Sequence, residues 1–192
     1  MNSMYPNKLM TQADPRNALA APIDAPPTTT PQTRKPSGRR IQVRNSGVHG
    51  KGVYALVTIP KGAVVIEYKG EVISWDEALR RHPHDPSDPD HTFYFHVDEA
   101  RTIDGKVGGN MSRWINHGCH PNCEADEVDG RIFIKALRTL KPGEELFYNY
   151  GLVIDERHTA KLKKQFECRC GKPQCRGTML APKVPRKAAT RR

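Results

Sequence analysis

The chain has 192 residues, 36% of them hydrophobic, the size and apolar content of one ordinary core. No run approaches the eighteen apolar residues of a membrane span, and Met1-Asn2-Ser3-Met4-Tyr5-Pro6 lacks the charged-then-apolar pattern of an export signal, so a soluble, cytoplasmic chain without membrane contact is expected. The net charge of +10 is uneven: residues 181–192 hold +5 without one acid, residues 1–38 hold +2, and the body between them holds only +3. A nucleic-acid binder built on a basic body is therefore disfavoured, and the tails allow at most a weak contact with nucleic acid.

In chain order, residues 1–38 come first, with seven prolines and the run Pro26-Pro27-Thr28-Thr29-Thr30-Pro31. This stretch is too poor in apolar groups to offset the entropy of ordering and reads as a disordered arm. Short β-branched runs then alternate with Pro/Gly turns: Val53 to Val57, Val64 to Tyr68 and Val72-Ile73. A helix is signalled by Ser74 as cap with Glu77 as its capping-box partner, running to about Arg81 before Pro83. The proline-interrupted stretch His82 to His91 reads as a solvated loop despite its histidines and aspartates. Further strands are expected over Thr92 to Val97, Ile132 to Ala136 and Glu145 to Tyr148, and a second helix over His158 to Phe166. Residues 181–192 read as a second disordered, basic tail. The fold class is mainly β, a β-rich α+β arrangement of small sheets.

Five cysteines in a chain without an export signal argue against a disulfide framework, which prefers an even count. Cys168 and Cys170 flank one residue, and Cys175 follows a Gly-Lys-Pro-Gln turn, so three sulfurs can converge on one ion. Tetrahedral zinc needs a fourth ligand.

Several ordered blocks carry a resemblance. They are His49-Gly50-Lys51-Gly52-Val53-Tyr54-Ala55, Tyr68-Lys69-Gly70-Glu71, Ile103-Asp104, Asn116-His117-Gly118-Cys119-His120-Pro121-Asn122-Cys123, Gly143 to Tyr150, and Cys168 to Gly177. In this order they resemble the SET-domain protein-lysine methyltransferases, over about residues 41–180. The compact body and short insert after Ile73 look like the small bacterial members. No Gly-x-Gly-x-x-Gly follows a strand, which counts against the Rossmann class of methyltransferases.

The resemblance implies a SET domain over 39–157, with a knot-like core, and a post-SET zinc-binding segment over 158–180. It implies S-adenosylmethionine as cofactor, held by His49, Gly50, Lys51, Gly52, Phe93, Arg113, Asn116, His117 and Tyr150. Lys51 departs from the aromatic residue common there. It also implies zinc on Cys119, Cys168, Cys170 and Cys175, which leaves Cys123 as a buried thiol. The implied catalytic residues are Tyr150, Tyr68 and Tyr148, where a Tyr at 148 limits the product to mono- or dimethyllysine. Gly118, His120 and Asn149 stand where relatives usually have Ser, Asp and Asp.

The implied substrate is a lysine of a histone or histone-like basic protein, met by a monomeric enzyme in the cytoplasm, or in a nucleus, its own or a host's. Such a lysine, with a pKa near 10.4, is neutral about once in 2,500 molecules at pH 7, so binding must supply roughly 4.6 kcal/mol. A dry aromatic channel meets this need by disfavouring the charged form. The alternative is a catalytically silent module of the same fold that grips protein or nucleic acid through its tails.

Overall fold

The computed structural model describes residues 4–5, 38–82, 93–154 and 156–183. Nearly all of the expected arm, the expected loop from Pro83 to His91 and the tail beyond Lys183 lie outside the described residues.

Among the described residues the strands are β1 (Met4–Tyr5), β2 (Ile41–Asn45), β3 (Lys51–Ala55), β4 (Val64–Tyr68), β5 (Glu71–Ile73), β6 (Tyr94–His96), β7 (Thr102–Asp104), β8 (Asn116–His117), β9 (Cys123–Val128), β10 (Arg131–Ala136), β11 (Phe147–Tyr148) and β12 (Val153–Ile154). Helix α1 spans Trp75–Arg81, α2 spans Ala160–Gln165, and a 3₁₀ turn covers Met111–Trp114. The strands form small sheets: β4-β10-β9 and β5-β7-β6 with three strands each, and the pairs β2-β3, β8-β11 and β1-β12.

β10 shows why the chain folds this way. Ile132, Ile134 and Ala136 are buried while Arg131, Phe133 and Lys135 face outward, the period of two that a strand with one buried face requires. It is paired on both sides, with β4 and with β9. The β9–β10 hairpin turns at Asp129-Gly130, both at positive φ (52° and 74°), as a type I′ turn demands. β9 itself is mostly polar and carries no hydrophobic alternation to announce it. The strand expected from Val53 begins two residues earlier and ends at Ala55, where the chain bends and Leu56 N donates to Arg40 O at 2.8 Å.

α1 is capped as its sequence indicates: Ser74 Oγ accepts from Glu77 N at 3.2 Å. Only half of the capping box forms, because the Glu77 carboxylate turns to Arg81 at 2.7 Å. Arg81 also reaches Glu71 and the fully buried Asp104, at 2.7 and 3.0 Å, tying the helix to β5 and β7. α2 starts one residue after Thr159, whose Oγ1 accepts from Leu162 N at 3.2 Å.

One apolar cluster, including Val53, Tyr68, Phe95, Ile115, Ile134, Leu146 and Tyr148, joins the sheets. A second, built on Ile154, Phe166 and Leu180 with Leu152, Leu162 and Met179, packs residues from both sides of position 157 into one unit. β1 pairs with β12 at Met4↔Ile154 and Tyr5↔Val153.

Ile134 has no exposed surface, so Ile134→Ala is expected to lower the unfolding free energy by about 2–5 kcal/mol. Urea titration followed by circular dichroism measures the difference.

Candidate active site and metal centre

The site begins with a short parallel pairing. Phe147 lies opposite Asn116, and Tyr148 opposite His117. Asn122 clamps the two segments: its Nδ2 donates to Glu145 O at 2.8 Å and its Oδ1 accepts from Phe147 N at 2.8 Å. Gly118 N donates to Tyr148 O at 3.1 Å, and a Cβ at Gly118 would stand 2.9 Å from the Phe147 Cβ. Glycine at 118 thus fits the close approach of the Phe147 backbone and Cβ.

Beside this pair, aromatic rings form a continuous row. Centroids lie 5.2 Å apart for Tyr68 and Phe95, 6.2 Å for Phe95 and Tyr148, 4.9 Å for Tyr148 and Tyr150, and 5.3 Å for Tyr150 and His117. They border a cavity of about 270 Å³. Of the residues singled out by sequence, His49, Lys51, Tyr68, Arg113, Asn116, His117, Tyr148, Tyr150 and Cys168 line it. Phe93, Gly50 and Gly52 do not line it. The Phe93 carbonyl accepts from Tyr68 Oη at 2.8 Å, and its ring packs edge-on to Trp114. Gly50 adopts φ +44°, which favours glycine. Trp114 and His96 also line the cavity and were not singled out by sequence. The Lys51 ammonium lies 4.7 Å and the Arg113 guanidinium 5.0 Å from the Trp114 ring centroid, so this ring is flanked by two cations. Its neighbourhood to Asn116-His117 in sequence was the available signal.

The polar atoms of the cavity divide into committed and open ones. Tyr68 donates to Phe93 O and Tyr150 to Ile115 O, each at 2.8 Å, so both phenol oxygens are left as acceptors. The Tyr148 hydroxyl has no hydrogen-bond partner among the described residues, and the buried Arg113 Nε has none either. Burial raises the pKa of all three phenols well above the ordinary 10.0, for Tyr68 and Tyr148 with the other phenols adding to it. They are neutral hydroxyls at physiological pH, never bases.

His117 accepts from Tyr150 N through Nδ1 at 3.0 Å, and its Nε2 lies 3.5 Å from Cys119 Sγ. Burial, with the charge of Arg176, brings its pKa down to about 4, so the ring is neutral with its proton on Nε2. Both ring nitrogens are spent on the protein. Any contact of His117 with a ligand therefore uses its backbone or ring face.

Cys119, Cys168, Cys170 and Cys175 come together, with all sulfurs within 4.8 Å of one another. Cys119 Sγ stands 3.5 Å from Cys168 Sγ and 3.8 Å from Cys175 Sγ. A tetrahedral ion with thiolate bonds of about 2.3 Å requires edges of about 3.8 Å, so the cluster could hold a metal ion. Arg176 N and Gly177 N donate to Cys119 Sγ and Cys175 Sγ at 3.4 and 3.3 Å, as thiolate sulfurs favour. Arg176 also donates to Asn149 Oδ1 at 2.9 Å, which joins the cluster to the segment between Tyr148 and Tyr150. Cys123 stands apart in the main core, where burial pushes its thiol up to about 12.

A strand-rich body with an aromatic-walled pocket and four free cysteines gathered where they could hold a metal ion is a domain with a ligand-sized cavity, not a disulfide scaffold. No helix among the described residues is long and apolar enough to cross a membrane. The SET domain model matches residues 50–151, more than half of the chain, and the chain belongs to the SET-domain family. It is 39% identical over 139 residues to the histone-lysine N-methyltransferase trr of Drosophila melanogaster, covering 70% of this chain and 6% of that protein. It is 36% identical over 137 residues to an H3 lysine-4 specific histone-lysine N-methyltransferase of Chaetomium globosum, covering 69% and 12%. It is 35% identical over 134 residues to the histone-lysine N-methyltransferase ash1 of Drosophila melanogaster, covering 68% and 6%. The chain thus spans a small fraction of the length of each of these relatives.

Because the three buried phenols are held neutral with pKa values above 10.0, their contribution to stability is complete below pH 10 and is lost as pH rises beyond it. Tyrosinate absorbance is expected to appear for the three only together with loss of the circular-dichroism signal, and Tyr68→Phe should extend the folded range upward.

Proposed function

We propose that this chain is an S-adenosylmethionine-dependent protein-lysine N-methyltransferase, with one zinc ion on Cys119, Cys168, Cys170 and Cys175. The observation that carries the reading is the row of buried phenols, two with their protons committed to backbone carbonyls. The oxygens left over are acceptors for the hydrogens of an amine whose aliphatic stem the rings surround. S-adenosylmethionine supplies the methyl group on a sulfonium centre. Arg113, with an open buried Nε, and Asn116 are the polar groups for its amino-acid end; Lys51 and Trp114 wall the same pocket.

Tyr150 and Tyr68 orient the lone pair of the neutral amine, and the apolar wall excludes water. Dehydration disfavours the ammonium form and so contributes to the roughly 4.6 kcal/mol needed at pH 7. The lysine proton leaves to water before methyl transfer, since the phenols are too basic as phenolates to be the resting base. The open Tyr148 hydroxyl holds a water and narrows the space, which favours mono- or dimethylation.

The substrate is a histone or histone-like basic protein, in keeping with the names of the relatives. Residues 39–157 form the catalytic domain and 158–180 the zinc-bearing segment, flanked by the arm and the basic tail. The protein acts as a monomer, in the cytoplasm or in a nucleus to which it is delivered.

Tyr150→Phe is expected to lower kcat about 100-fold with cofactor affinity within twofold, as read by radiolabel transfer to histones and by calorimetry. Tyr148→Phe should move the product toward higher methyl states by mass spectrometry, and an unchanged distribution would contradict its role. Purified protein should carry one zinc per chain by elemental analysis. Chelation should lower the melting temperature and cofactor affinity together, and Cys119→Ser should reproduce both effects.

A further inference from the structure

Glu145 belongs to none of the groups assigned above, yet it collects the donors that surround the pocket's polar corner. Its Oε1 accepts from Ser46 Oγ at 2.7 Å and from Asn116 Nδ2 at 3.1 Å, and its Oε2 accepts from Tyr54 Oη at 2.9 Å. Ser46 Oγ in turn accepts from Val48 N at 3.0 Å, at the head of the loop that carries His49 and Lys51. The carboxylate thus ties the 46–50 loop and β3, which follows it directly, to β8, a segment far away in sequence.

The consequence falls on Asn116. Its Nδ2 faces Lys51 O at 2.9 Å, His49 O at 3.4 Å and Glu145 Oε1 at 3.1 Å. All three neighbours are acceptors only. A flipped amide would set its oxygen against two carbonyls and a carboxylate, so a single orientation survives, with Oδ1 on the other side. Asn116 lines the cavity, and its Oδ1 is therefore the acceptor offered to a bound cation or N–H donor. The carboxylate also explains Gly52. That residue lies outside the positive-φ set, and a Cβ there would collide with Glu145 Oε1. The second glycine of the loop makes room for Glu145, whereas Gly50 serves the turn.

We propose that Glu145 is a positioning residue for ligand binding: it fixes the Asn116 amide and the 46–52 loop so that Asn116 Oδ1 meets the ammonium group of the cofactor's amino-acid end. This rests on the methyltransferase reading given above. Glu145 touches no reacting atom, and it acts through Asn116.

The test is a double-mutant cycle on the full, metal-loaded chain, with S-adenosylmethionine titrated by calorimetry. Glu145→Gln keeps the shape but faces an amide toward Asn116, and it should raise Kd about tenfold, appearing in KM more than in kcat. In an Asn116→Ala background the same change should cost less than twofold, because the two residues act as one unit. Ser46→Ala, which removes a single donor to the carboxylate, should raise Kd two- to fivefold and guards against a Glu145 variant that fails to fold. Tyr54 gives a second signal. Burial first, and then the Glu145 carboxylate, raise its phenol pKa, so Glu145→Gln should bring its titration down by NMR.

Unchanged Kd in Glu145→Gln, or an equal tenfold loss in both backgrounds, overturns the assignment while leaving the methyltransferase reading intact. No binding of the cofactor to the wild-type chain overturns that reading itself.

Discussion

The parallel contact between β8 and β11 is the constraint on which the rest of the site depends. Only two residues pair on each side, too few to hold by themselves. The pairing persists because the 143–148 segment is engaged from two directions: Ala55 N of β3 donates to Glu144 O at 2.9 Å and Leu146 N donates to Val53 O of β3 at 2.8 Å, and Asn122 grips Glu145 and Phe147 from the side of β8. Buried backbone groups must find partners, and here their partners come from segments roughly a hundred residues apart in the chain. The result is that Asn116 and His117 share one wall of a cavity with Tyr148 and Tyr150.

From that contact follows the division of labour among hydrogen atoms. Two phenols spend their protons on carbonyls of neighbouring segments, and this leaves their oxygens as acceptors beside the cavity. His117 spends both nitrogens, one on the backbone of Tyr150 and one beside Cys119. The ring is therefore a strut between the cysteine cluster and the tyrosine. A metal ion on the four cysteines would hold one end of that strut. Arg176 adds a second link from the cluster to Asn149, so the replacement of Asp by Asn leaves a working acceptor in place.

Much of this was legible in the chain. The strand of Ile132 to Ala136 and the helix capped by Ser74 are announced by period and cap, because each depends on neighbours within a few residues. The four cysteines were assigned by resemblance and stand together in space. Other features were not legible. β9 is polar along most of its length and exists because β10 needs a partner; the Asp129-Gly130 turn was its only mark. β7 and β8 are three and two residues long and carry no periodicity. His96 enters the cavity from β6 through sheet geometry that no local pattern encodes, whereas Trp114 reaches it from the 3₁₀ turn just ahead of Asn116. Glu145 looks like a solvated charge in a Gly-Glu-Glu turn, and only the approach of Ser46, Tyr54 and Asn116 gives its carboxylate a purpose.

By itself, the sequence determined the β-rich class, the basic flanks around a nearly balanced body, and the close spacing of Cys168, Cys170 and Cys175. These are properties of composition, short-range period and residue identity, and they survive without knowing which segments meet. The tertiary structure decided which atoms are free. Whether a phenol donates or accepts, which nitrogen of His117 carries a proton, and which way the Asn116 amide points all depend on groups brought in from distant segments. Hydrogen-bond direction is a property of the pair and not of the residue, and so it emerges only when the chain has closed on itself.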